Sequence, residues 1–134
     1  MKSQSSIEFM QAITLLLAVF VVLTPIVYMK YSDNLSAQLR ADGQLTADTV
    51  AGEINIAAGV GPGYRRLFTL QPLLGDSSEY TVIIYPTEQR VFVNWTDSTG
   101  ASAAIATSSV TQTSPLGPGD IIVFNNGGQI EIGG

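Results

Sequence analysis

The sequence has no cysteine and no histidine, and only 13% of its 134 residues are charged. Without cysteine there are no disulfides and no thiolate metal sites, so packing alone must hold the fold. Without histidine the commonest general base and the commonest metal ligand are gone. An ordinary soluble domain carries roughly 25% charged residues, and here the deficit is uneven. The first third of the chain holds a long apolar run, and the remainder is rich in Gly, Ser, Thr and β-branched residues. The net charge is −5. There is no basic patch and no interleaving of aromatics with arginine, which argues against a nucleic-acid partner.

What the chain does have is its opening, MKSQSSIEFMQAITLLLAVFVVLTPIVYMK, in which Glu8 stands directly before an uncharged apolar run from Phe9 to Met29. That run is about 21 residues, close to the ~20 that cross a hydrocarbon core as a helix. A cleaved secretory signal has a shorter apolar region and a small-x-small site after it; residues 24–30, TPIVYMK, offer no such site. The run therefore reads as a retained helix. Tyr28, Lys30 and Tyr31 suit the headgroup level of a bilayer. Pro25 removes one backbone hydrogen bond and predicts a kink near Val21–Pro25.

Beyond Lys30 the apolar residues thin to one stripe. Leu35, Leu39, Gly43, Ala47, Val50, Ile54 and Ala57 recur at steps of three or four, the mark of an amphipathic helix. Asp33, Gln38, Arg40, Asp42, Asp48 and Glu53 fall off that seam, on what reads as a polar remainder. Gly43 lowers local helix stability by about 1 kcal/mol against Ala and marks a candidate bend. The run Gly59-Val60-Gly61-Pro62-Gly63 stops the helix. One helix from about Ser5 to Ala58 is the expectation.

After Gly63 the pattern turns to short strands: 65–70, 79–85, 89–95, a weaker one at 102–107, then 120–124 and 129–132. The pairs 79–85/89–95 and 120–124/129–132 read as hairpins, the second turning through Asn125-Asn126-Gly127-Gly128 with Asn-Gly supplying positive φ. These glycines are turn chemistry and not a phosphate cradle, since no helix follows them. The fold class is α+β: a long N-terminal helix with a small, mostly antiparallel sheet packed on its C-terminal half. Residues 4–30 form the hydrophobic helix, 31–58 its amphipathic continuation, and 64–134 a β-domain. About 70 residues is near the lower limit for a self-sufficient core, so the domain is expected to need the helix.

Lys2-Ser3-Gln4-Ser5-Ser6-Ile7-Glu8 ahead of a hydrophobic helix resembles the class III signal peptide of archaeal type IV pilin-like proteins: a basic residue, a small residue, then Q-x-S-x-E. The resemblance implies a pilin-like fold and a membrane prepilin peptidase cutting between Ser3 and Gln4, which makes residues 1–3 a short leader and Glu8 the fifth mature residue. The family often has Gly before the cut, where this chain has Ser3, and some members place Leu where it has Ala12. Pro25 falls where many bacterial pilins carry a helix proline. The resemblance extends through Gly63-Tyr64 with Phe68-Thr69-Leu70, the YTV strand and the closing NNGGQIEI hairpin, though the N-terminal motif is the specific part. It further implies a homopolymeric helical filament at the cell surface, adhesion as its use, a membrane-held precursor, and an assembly ATPase and platform as partners. In that setting Glu8 accepts the new α-amine of the same or a neighbouring subunit and sets axial register. Against this stands Glu8 as an interfacial acid stabilised by the helix macrodipole. Ile7, Phe9, Ile13, Leu16, Leu17, Phe20, Leu23 and Ile26 become the assembly surface.

A non-polymerising, single-pass anchor for a surface binding module is the alternative. Catalysis finds no support: Asp76, Glu79, Glu88, Asp97, Asp120 and Glu131 fall at turns or strand edges, no nucleophile–base pair can be named, and no cofactor or metal is implied. Two glycosylation sequons are present, at Asn34 and at Asn94. Asn94, at a strand end beside a polar loop, reads as the more reachable.

Overall fold

The expected helix is present and longer at both ends. Helix α1 spans Lys2–Val60 in a computed structural model that describes residues 2–75, 78–95 and 100–134. The helix runs through Pro25 without a break, so that residue costs a hydrogen bond and not the helix. Two hydroxyls in this apolar stretch find partners one turn back: Thr14 Oγ1 donates to the Met10 carbonyl at 2.8 Å and Thr24 Oγ1 to the Phe20 carbonyl at 2.7 Å. Such back-bonding satisfies a polar group without leaving the helix.

The chain divides into two compact units, Met1–Ser36 and Ala37–Gly134. In the first, every residue from Lys2 to Asn34 is exposed. The described residues of the second contain the rest of α1 and seven strands: β1 (Arg65–Leu70), β2 (Tyr80–Tyr85), β3 (Arg90–Trp95), β4 (Ala101–Ala104), β5 (Val110–Gln112), β6 (Gly119–Asn126) and β7 (Gln129–Gly133). They form two sheets where one was expected, in the orders β1-β6-β7-β5 and β2-β3-β4. All pairings are antiparallel except β5 with β7. Strand β5 was not expected. Its three residues lie in a Ser/Thr-rich stretch too short to show alternation, and it exists because β7 offers it a free edge.

Alternation places one side of each strand in the core. In β2, Tyr80, Val82 and Ile84 are buried; in β3, Val91, Val93 and Trp95; in β6, Ile121 and Val123; in β7, Ile130 and Ile132. They pack with Ala47, Val50, Ile54 and Ala57 of α1, part of the seam read from the sequence, and with Ala51, which that reading left out. Two residues depart from that reading. Gly43 is not a bend but a close approach: a Cβ there would lie 2.4 Å from the Trp95 ring. Glu53 is not off the seam but 8% exposed, with Oε1 3.4 Å from the Arg66 guanidinium.

Side-chain amides stitch the unit together. Asn125 is buried; its Nδ2 donates to the Ala57 carbonyl near the end of α1 and its Oδ1 accepts from Gly128 N–H, each at 2.8 Å. Pairing in the last hairpin reaches Asn126↔Gln129, so Gly127-Gly128, with φ of 64° and 99°, form the turn in place of the expected Asn-Gly. Gln112 mimics a strand beside β2, its Oε1 accepting from Ile84 N–H and its Nε2 donating to the Val82 carbonyl. Gln44 and Asn55 of α1 hold the 102–106 segment through the Ser102 carbonyl and Ala106 N–H. Open sheet edges invite unwanted pairing, and these amides occupy backbone groups that would offer it.

Candidate functional site

The first unit presents an apolar surface with nothing over it. Ile7, Phe9, Ile13, Leu16, Leu17, Phe20, Leu23 and Ile26 are between 40% and 65% exposed. Leu15, Val19, Val21, Val22 and Val27 are exposed as well, so every direction around the helix is apolar. A helix of that kind belongs in a protein core or a bilayer. This one is long and apolar enough to cross a membrane, and its most apolar stretch is wholly unburied within the chain. Ser6, Ile7, Met10, Gln11, Thr14, Leu15 and Ala18 outline a shallow, open groove along it.

Lys2, Ser3 and Gln4 lie in the first turn of α1 and are exposed. Helical structure was expected only from about Ser5; here it takes in the Ser3–Gln4 bond. Glu8 is exposed, and no acid occupies the first turn. The macrodipole acts mainly within that turn, and Glu8 lies beyond it. The residues three and four away are Gln4, Ser5, Gln11 and Ala12, none of them cationic. Among the described residues Glu8 makes no ion pair; the salt bridge present is Glu53–Arg66.

Of the two sequons, Asn34 and its Ser36 are exposed on α1. Asn94 is exposed on β3, with Oδ1 so close to Gly100 that a Cβ there would meet it at 2.9 Å. Its Thr96 lies outside the described residues. Asp76 and Asp97 also lie outside them. Of the remaining carboxylates, Asp120 accepts from Thr69 and Glu131 from Asn126. Among the described residues no three acids gather where they could hold a metal.

One surface escaped the sequence reading. On the second half of α1, Leu45, Ile56 and Val60 are 61%, 44% and 65% exposed. Their spacing of eleven and four residues puts them on one face, opposite the buried seam. It was hidden because the seam already accounted for the helical period. No protein family, curated protein or solved structure matches the chain.

Proposed function

We propose that the chain is the structural subunit of a surface filament of the archaeal type IV pilin kind. The hydrophobic halves of α1 pack together as the filament core and the β-domains face outward. The observation that carries this reading is the contrast between an uncovered, uncharged helix from Phe9 to Met29 and an adjoining unit whose own core is closed. A membrane holds that helix in the precursor, and copies of itself hold it in the polymer. An open, head-to-tail contact between identical chains builds such a polymer.

Glu8 fits this use. A carboxylate at the border of an apolar zone is costly to bury alone and tolerable beside a cation. Peptidase cleavage after Ser3 creates an α-amine, positive at neutral pH, that supplies the cation lacking at Glu8. Adhesion suits a filament whose exposed β-domain carries a sequon at Asn94.

Intact mass and N-terminal sequencing of material sheared from cells tests the proposal. A fibrous fraction whose chain begins at Gln4 is the expected result. A chain that begins at Met1 and stays in membranes, with no fibres, contradicts it. That second outcome is what the anchored binding module requires, a reading favoured by the membrane-spanning length of the same helix.

A further inference from the structure

Among the described residues the two sheets have four edges, β1 and β5 in one, β2 and β4 in the other. Gln112 and Leu116 bond the Val82 and Ile84 backbone along β2. Gln44 meets β4 at the Ser102 carbonyl, and Asn55 meets the Ala106 N–H just past it. β5 is only three residues long. β1 is six residues long and has no such cover.

The register says which groups of β1 are free. The Asn125 N–H donates to the Tyr64 carbonyl, so the continuous pairing that follows turns the backbone of Arg66, Phe68 and Leu70 towards β6. Antiparallel pairing alternates, so the N–H and C=O groups of Arg65, Leu67 and Thr69 point away from β6. Among the described residues no hydrogen bond reaches those groups. Proteins blunt such edges with proline, lysine, a bulge or brevity. β1 has no proline, lysine or bulge, and Leu67 at its middle is 60% exposed.

We propose that β1 pairs with β1 of a second copy of the chain, antiparallel about a two-fold axis at Leu67. This register sets Leu67 opposite the partner's Leu67, and Arg65 opposite the partner's Thr69, so every free group is used. A slip of two residues leaves Arg65 or Thr69 with no strand opposite. The side chains on the outer face fit the same register. Within one copy they form rows: Arg65 beside Phe124, Leu67 beside Ile122, Thr69 beside Asp120. Thr69 Oγ1 donates to Asp120 Oδ1 at 2.6 Å. Strands lie about 4.8 Å apart, so the partner's Arg65 stands two strands from Asp120 with only Thr69 between, within reach of a long side chain. Symmetry makes that ion pair twice. The middle row becomes an apolar band of Ile122 and Leu67 from both copies. No like charges stand directly opposite. The two Arg66 side chains are diagonal, each 3.4 Å from its own Glu53. An unrelated strand would gain the backbone bonds alone, whereas a second copy also gains the charge and apolar rows. A two-fold contact closes on itself. It joins chains in pairs, and it stands independently of the filament reading.

The absence of cysteine allows the test in the full-length chain, solubilised in detergent. Leu67→Cys, oxidised with copper phenanthroline, should give disulfide-linked dimers. Gln129→Cys, exposed on β7 of the same sheet, should not. Adding Arg65→Glu to Leu67→Cys should lose most of the dimer, and adding Asp120→Arg as well should restore it, with Trp95 fluorescence showing that each variant is folded. A Leu67→Cys chain that stays single although its thiol reacts freely would leave the edge to some other strand and overturn the proposal. Equal pairing by Gln129→Cys, or folded charge variants that all pair alike, would overturn it too.

Discussion

Residues 2–36 and 37–134 solve the problem of apolar surface in different ways. The second unit closes a core: strand alternation faces the α1 seam, and the amides of Asn125, Gln112, Gln44 and Asn55 occupy backbone groups at the joins, while Leu45, Ile56, Val60 and Leu67 stay outside it. Among the described residues of the first unit no apolar side chain is buried, and Leu35 alone is half-buried. The two have the same appetite for burial, and only one satisfies it from within. Substitutions in the first unit should therefore change what the chain associates with, and substitutions in the second should change whether it folds.

The largest effect belongs to the first unit. Phe20→Asp should eliminate fibres while leaving the denaturation midpoint of the β-domain, followed in detergent by Trp95 fluorescence, where it was. An acid at the centre of an apolar helix costs about 2.5–3.5 kcal/mol, and the penalty recurs in every subunit. A shifted midpoint would show that the two regions are not separable. Next comes Gly43→Leu, which forces atoms into the Trp95 ring. It should lower stability by about 1–3 kcal/mol or more, read as a lower urea midpoint. Asn125→Ala removes the bonds to the Ala57 carbonyl and Gly128 N–H, leaving that carbonyl only Gly61 N–H, and should cost about 1–3 kcal/mol for the two. An unchanged midpoint for Asn125→Ala would mean the amide does not hold the helix end to the last hairpin.

The smallest effect is a pH dependence. Burial raises the Tyr80 phenol above its ordinary value of 10.0, and its hydroxyl donates to the Gln71 carbonyl. The unfolded tyrosine ionises first, so this contribution to stability is complete below pH 10 and fades as pH rises through the folded value. Tyr80→Phe should cost about 0.5–1.5 kcal/mol at neutral pH and lessen the alkaline decline. An identical decline in both proteins would assign it to other groups.

The legible parts of the fold were those with a long or strict period. The α1 seam, β1 and the β2–β3 hairpin follow from spacing alone. Strand β5 was hidden because three residues carry no period, and the split into two sheets because strand order is set by long-range pairing. Glu53 was misplaced because helical spacing alone put a charge at the rim of the seam, where Arg66, distant in sequence, lets it be buried. Gly43 looked like a bend because its neighbour is Trp95, fifty-two residues away. The exposed helix and Glu8 were visible at once, since both depend on local composition. The outward face of α1 was not, because a second stripe is noticed only once the first is known to be occupied.

Electron cryomicroscopy of sheared surface fibres tests most directly whether copies of the chain cover residues 9–29. Fibres with a tightly packed helical axis, in which density for Phe9, Leu16 and Phe20 contacts neighbouring subunits and both sheets face solvent, are the expected result. Fibres whose axis lacks these helices, or cells whose chains remain single within the membrane, would contradict it.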